Sequence, residues 1–471
     1  MDDAIPRGYS PHVPRYYYRE FLDRFDDKGL LSCVCGQEHR LTTKSVLTDP
    51  GSLAASARLV TERYGKAARV WVLSDENTEA AAGARWKAEL RVGKVVSRVL
   101  PGTPRPIPSV EFASSLLAEA KGATPDLLIA VGGGVISDLV KRASLEGGIP
   151  NWCIATAPSV DAYSSATSAL RVNGFHGTAS ARTSEMIVCD PEVMANAPKE
   201  MFLAGLGDLL AKFHAAIDWG LSRIVTGEHF CPLLAEVALG SARSALAAAK
   251  GLAADPTESL RTLTDAVLSS GFAMQAAGGS RCAASAEHTI AHFWETIHAA
   301  QVKRLDLHGM LAATASRILL PIYQALYRRL ATWQPDPAAR LADFDREPSW
   351  EGSLEDGMLP YRAKIQEEMK DYRLTRDMLS NRLARFASQR KAILDLASPL
   401  LSELDAAARQ LQEMRYPFSL GELGIPKDLA LLPLRSVRLL RNRYTGFDLA
   451  YELGLWGFMQ EQMESAVAAV A

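Results

Sequence analysis

LLIAVGGGVISDLVK, residues 127–141, passes from an unbroken apolar run through three glycines into a stretch with helical spacing. A short apolar run that ends in turn residues reads as a strand buried on both faces, the kind found inside a parallel sheet. The glycine turn and the helix start would then present backbone amides to an anion. Gly132, Gly133 and Gly134 would let a pyrophosphate come close, although a simple tight turn explains three glycines equally well. The spacing is not the G-x-G-x-x-G fingerprint.

Working outward, RVWVLSDENT (69–78), WCIATAPS (152–159) and EMIVCDPE (185–192) repeat the pattern of an apolar run closed by Ser, Asp or Pro. The first part of the chain therefore reads as α/β with a parallel sheet. After NAPKEMF (196–202) the strand signal stops, and Ala-, Leu-, Arg- and Glu-rich stretches with helical periodicity run to the C-terminus. These patterns predict an α/β nucleotide-binding domain over 1–198 and an all-helical domain over 199–471. The polar stretch at 333–357, WQPDPAARLADFDREPSWEGSLEDG, reads as a long connection or lid.

The chain of 471 residues has 52 basic and 54 acidic side chains, a balance that gives no electrostatic footprint for a nucleic-acid backbone. With 48% hydrophobic and 23% charged residues the composition is that of a globular protein. The N-terminal MDDAIPRGYSPHVPRYYYREF lacks the basic and apolar regions of a signal peptide, and no run approaches a membrane span. A cytoplasmic location is expected. Six cysteines are too few for a disulfide framework in so long a chain. Cys33, Cys35 and His39 in CVCGQEH could begin a metal site, but no second matching pair of ligands follows nearby.

Several polar residues stand where chemistry could use them. Asp75 follows a strand end, where dinucleotide folds hold ribose hydroxyls, although a helix N-cap explains it as well. ATAPSVDAYSSATSAL (155–170) surrounds Asp161 with hydroxyls, among them Thr156, Ser159 and Ser165. GLGDLLAKFHAAIDW (205–219) carries Asp208 and, one turn on, Lys212. SAEHTIAHFWET (285–296) places His288 and His292 one turn apart on the same face of a helix, and LDLHGM (305–310) brings His308. One carboxylate and two imidazoles form a common set for a catalytic zinc with an open fourth position.

Taken together, these stretches and RNRYTGFDLAYELGL (441–455) resemble the sn-glycerol-1-phosphate dehydrogenases, particularly the bacterial AraM-type branch. That branch lies within the superfamily of iron-containing alcohol dehydrogenases and dehydroquinate synthases. The resemblance spans nearly the whole chain. It implies a Rossmann-like domain followed by a helical metal-binding domain, with the active site between them. It also implies one divalent metal on Asp208, His288 and His308, zinc first, with nickel or iron accepted by the same ligands. Asp161 and His292 would contact substrate. Gly132, Gly133, Gly134, Asp138, Thr156, Ser159, Ser165 and Asp75 would bind NAD or NADP. The implied reaction is reduction of dihydroxyacetone phosphate to sn-glycerol 1-phosphate, with Lys212 and Arg281 as candidate phosphate partners, by a homo-oligomer, most simply a dimer. Where the family has Gly after the loop aspartate, this chain has Ala162, and Cys282 and Ala291 also depart from its pattern. Those departures keep another polyol or sugar-phosphate dehydrogenase open as an alternative, beside a dehydroquinate synthase-like cyclase and a binding paralogue without turnover.

Overall fold

The computed structural model describes residues 18–297, 307–370 and 374–470. Ten strands occur among them: β1 (Leu30–Ser32), β2 (Glu38–Arg40), β3 (Ser45–Leu47), β4 (Arg69–Asp75), β5 (Lys94–Leu100), β6 (Leu127–Gly132), β7 (Asn151–Ala155), β8 (Thr167–Val172), β9 (Phe175–Ser180) and β10 (Met186–Val188). Six form one parallel sheet in the order β3-β10-β7-β6-β4-β5. The four strands read from the apolar runs are β4, β6, β7 and β10. Every residue of β6 and β7 is buried, as expected for strands covered on both faces. The sequence reading missed β3 and β5, the two edges. β5 exposes most of its length and carries Lys94 and Arg98, which interrupt the apolar pattern and blunt the sheet edge.

The order of strands creates a crevice. From β4 the chain adds β5 on one side, then crosses back to place β6 on the other. At such a reversal the connections leaving the strand C-termini diverge and leave room for a ligand. Asp75 ends β4 and the Gly132–Gly134 turn ends β6, so both stand at this crevice.

Beyond residue 198 the regular structure among the described residues is helical. The stretch 333–357 is not a long open connection. It folds into the Pro337–Phe344 helix and 3₁₀ turns, and Trp333, Phe344 and Trp350 pack on the main core. The apolar side chains of that stretch outweigh its Pro and Gly content. None of its residues lines the cleft described below, so the lid reading fails.

Two hairpins were also missed. One is β1–β2; the other is β8–β9, which turns at Asn173-Gly174 with φ of 52° and 81°. Positive φ at both central residues is what Asn-Gly supplies in a two-residue hairpin, a signal present in the sequence.

Candidate functional site

A cleft of about 650 Å³ runs from the sheet crevice to the helices. Its position depends on close backbone approach. A Cβ at Gly205 would lie 1.8 Å from the carbonyl oxygen of Pro158, and one at Gly309 would lie 1.8 Å from that of Ala204. Glycine at these points lets the Lys199–Leu210 helix touch the loop that carries Asp161, and lets the His308–Thr332 helix touch Lys199–Leu210. Asp208 is thereby brought between Asp161 and His308.

Asp208, His288 and His308 offer donor atoms that all lie within 4.8 Å of one another. His288 Nε2 is 3.2 Å from Asp208 Oδ1. On the far side of each ring, His288 Nδ1 is 3.0 Å from Glu287 Oε1, and His308 Nδ1 is 3.0 Å from Glu295 Oε1. An imidazole that donates one N–H to a carboxylate keeps its other nitrogen as a ligand and holds its orientation. The donor set and its outer carboxylates fit a divalent ion. Burial alone would raise the Asp208 carboxyl, but Lys212, His288 and His308 outweigh it and hold it far below the usual range. Burial opposes charge on His308, yet Glu295 and Asp208 raise it to about 9.

Asp161 adjoins this set. Its backbone N–H donates to Asp208 Oδ2 at 2.9 Å, and its Oδ2 accepts from Ser270 Oγ at 2.7 Å. Lys212 Nζ lies 2.7 Å from Asp161 Oδ2 and 3.6 Å from Asp208 Oδ1. Burial and Asp208 raise the Asp161 carboxyl, against the pull of Lys212. Lys212 balances two buried carboxylates while also lining the cleft. Arg281 is corrected: it pairs with Glu228 at 3.1 Å, donates to the carbonyls of Asp218 and Tyr444, and does not line the cleft.

His292 stacks on His308 with centroids 4.8 Å apart. Its Nδ1 is 2.8 Å from Glu295 Oε2 and 3.0 Å from His176 Nδ1. Burial outweighs Glu295 and keeps the His292 imidazole well below its usual pKa, hence neutral. His176 and Glu295 were not singled out from sequence. His176 arrives on β9, so reading the Asn-Gly hairpin signal would have pointed toward it.

All the dinucleotide candidates except Gly132, whose Cβ position is filled by Ile136, line the same cleft in differing circumstances. A Cβ at Gly133 would meet no atom beyond its chain neighbours within 4 Å, so its open face borders ligand-sized space. Thr156, Ser159 and Ser165 border the cleft, with Ser159 Oγ 3.1 Å from Tyr163 Oη and Ser165 Oγ donating to the carbonyls of Ala162 or Thr167. Asp75 caps the next helical turn by accepting from Thr78 N at 2.9 Å while still facing the cleft. Asp138 is committed to the protein: Oδ1 is 3.0 Å from Lys141 Nζ and Oδ2 accepts from Ala169 N at 2.8 Å. Its part is to hold β8 against the helix that follows the glycine turn.

Arg441 also borders the cleft and donates to Thr178 Oγ1 at 3.0 Å and Ser280 Oγ at 3.2 Å. It belongs to the 441–455 stretch quoted above, but a lone arginine in a basic run carries no sequence signal for the cleft.

Comparison with known proteins agrees with this architecture. The family model for iron-containing alcohol dehydrogenases matches residues 47–198. A glycerol-1-phosphate dehydrogenase [NAD(P)+] of Geobacillus stearothermophilus is 31% identical over 300 residues, which cover 63% of this chain and 74% of that protein. One of Bacillus licheniformis is 29% identical over 443 residues, covering 91% and 94%. Among solved structures, a probable glycerol dehydrogenase from Sinorhizobium meliloti 1021 superposes with a TM-score of 0.58 at 16% identity, covering 91% of this chain and 97% of that one. NADH-dependent butanol dehydrogenase A from Thermotoga maritima gives 0.56 at 13%, covering 92% and 98%. With a six-stranded parallel sheet, a helical second half and relatives of this extent, the chain belongs to the iron-containing alcohol dehydrogenase superfamily.

Proposed function

We propose that the protein catalyses NAD(P)H-linked, metal-dependent reduction of dihydroxyacetone phosphate to sn-glycerol 1-phosphate, reversibly. The observation that carries the reading is the convergence of Asp208, His288 and His308 beside Asp161 in the cleft that also reaches the Gly133 turn. The glycerol-1-phosphate dehydrogenases among its relatives support the substrate. Residues 1–198 are the dinucleotide domain in this reading and 199–471 the metal domain.

When bound, a divalent ion supplies Lewis acidity at the ketone oxygen, and the reduced dinucleotide supplies the hydride. Asp208, His288 and His308 would hold the ion, zinc first by donor type. Gly133 and Gly134 accept the pyrophosphate against backbone amides, with Thr156, Ser159 and Asp75 along the cofactor path. Asp161, its Oδ2 held by Lys212 and Ser270, accepts a substrate hydroxyl. His292 is a neutral imidazole whose Nδ1 faces Glu295 and His176, which gives a proton a route to the oxygen as the ketone is reduced, and away from it in the reverse reaction. Arg441, beside Ser280 and Thr178, takes the phosphate role that Arg281 cannot reach.

The test follows reduced-cofactor consumption by metal-loaded protein with dihydroxyacetone phosphate, free dihydroxyacetone and other sugar phosphates side by side, with chiral analysis of the product. Preference for dihydroxyacetone phosphate and formation of the sn-1 enantiomer are expected. Preference for an unphosphorylated ketone, or the other enantiomer, overturns the assignment.

A further inference from the structure

The β1–β2 hairpin carries Cys33 and Cys35 at its turn and His39 on its second strand. Read along the sequence, this trio has too few ligands for a closed site. Folding supplies a fourth from 192 residues past His39: Cys231, immediately before the Pro232–Gly251 helix. Cys33 Sγ is 3.6 Å from Cys231 Sγ, Cys35 Sγ is 3.4 Å from His39 Nε2, and Cys231 Sγ is 3.3 Å from His39 Nε2. All four donor atoms fall within 4.8 Å of one another.

Those separations match tetrahedral coordination. Zinc bonds of about 2.3 Å to sulfur and about 2.0–2.1 Å to nitrogen put neighbouring donors roughly 3.5–3.8 Å apart. The outer contact fits too: His39 Nδ1 is 3.0 Å from the carbonyl oxygen of Ala276, so an Nδ1–H donated there leaves the Nε2 lone pair toward the thiols. The cysteines are free thiols, and Cys231 and His39 are buried. None of the four lines the cleft, so this cluster is separate from Asp208, His288 and His308.

We propose that Cys33, Cys35, His39 and Cys231 form a second, structural zinc site in this chain. Three thiolates and one imidazole fill a tetrahedron, leaving no position for substrate, and soft sulfur donors select zinc over the harder divalent ions. The site would staple the N-terminal hairpin to the start of the Pro232–Gly251 helix. Through Ala276 it would also reach the end of the Pro256–Ala277 helix. A pair of strands three residues long has little area of its own to bury, so such a staple is what holds it in register.

The test uses the full chain purified under reducing conditions with zinc, with metal measured by inductively coupled plasma mass spectrometry. Cys33→Ser and Cys231→Ser are each expected to lose one zinc equivalent, while His308→Ala retains that equivalent. Cobalt-loaded His308→Ala protein should show a thiolate-to-cobalt charge-transfer band in the near ultraviolet and intense visible bands of tetrahedral cobalt. If the serine variants fail to fold, this cobalt spectrum decides the question by itself. A missing charge-transfer band overturns the proposal. So does unchanged zinc content in folded Cys33→Ser, or an intact mass lower by a pair of hydrogens, the mark of a disulfide.

Discussion

Glu295 Oε1 stands 3.0 Å from His308 Nδ1. The other oxygen of the same carboxylate is 2.8 Å from His292 Nδ1 and 2.9 Å from His176 Nδ1, so one acid orients three rings. Burial by itself would raise the Glu295 carboxyl, but His176 and His308 hold it well below its usual range and therefore charged. Glu295→Gln keeps the shape and removes the charge that fixes the His308 tautomer. Its affinity for zinc is expected to fall about 10–100-fold, measured by competition with a chelator of known affinity. Unchanged affinity would show that Glu295 does not position the donor.

Lys212 is the counter-charge for Asp161 and Asp208. Removing one partner from a buried ion pair strands the other, at a cost of about 3–5 kcal/mol. Metal-free Lys212→Met protein should lose stability of that order in denaturant unfolding. Added zinc should return more stability to this variant than to the unsubstituted protein, because a bound cation replaces part of the missing charge. Equal gains in the two proteins would refute this account.

The open face of Gly133 borders the cleft, and no atom beyond its immediate chain neighbours lies within 4 Å of a Cβ placed there. Gly133→Val should therefore fold normally and keep its metal while weakening dinucleotide binding by about tenfold or more, equivalent to roughly 1.4 kcal/mol. Fluorescence titration with NADH and NADPH reads the loss. Unaltered affinity for both would remove the turn from the cofactor site.

Arg441 is the phosphate partner in the proposed reaction. A hydrogen bond to a charged group contributes about 1.5–3 kcal/mol, or about 10–100-fold. In Arg441→Ala the ratio of kcat/KM for dihydroxyacetone phosphate to that for free dihydroxyacetone should fall by that factor. A parallel loss on both substrates would point to structural damage and away from phosphate recognition.

His214 is buried against the edge of Tyr323, and neither ring nitrogen has a hydrogen-bond partner among the described residues. Burial lowers its pKa from 6.5 to about 4. The unfolded chain therefore binds the extra proton first as the pH falls. The stability held by the neutral ring is fully present above pH 6.5, falls as the pH drops below that, and levels off near pH 4. His214→Phe keeps an aromatic ring against Tyr323 and removes this titration. Between pH 7 and pH 4.5 the variant should lose about 2–3 kcal/mol less stability than the unsubstituted protein. Equal losses would exclude the buried ring as an acid-labile point.

The sequence by itself determined the fold class and the four central strands, because apolar runs buried on both faces leave an unbroken local pattern, visible in β4, β6, β7 and β10. Residue type and spacing also offered a carboxylate and imidazoles as a ligand set, and the family resemblance carried by those local motifs singled out Asp208, His288 and His308. Edge strands such as β5 escaped it because exposure erases the pattern. Only the tertiary structure decided which polar groups meet. Arg281 turned away to Glu228, Asp138 was taken up by Lys141 and Ala169, and Arg441, Glu295 and His176 entered the site. Cys231 reached the hairpin cysteines in the same way. These contacts join segments up to hundreds of residues apart through helix packing and glycine-permitted backbone approach, as at Gly205 and Gly309. Such packing depends on the shapes of whole elements, and no window of neighbouring residues contains it.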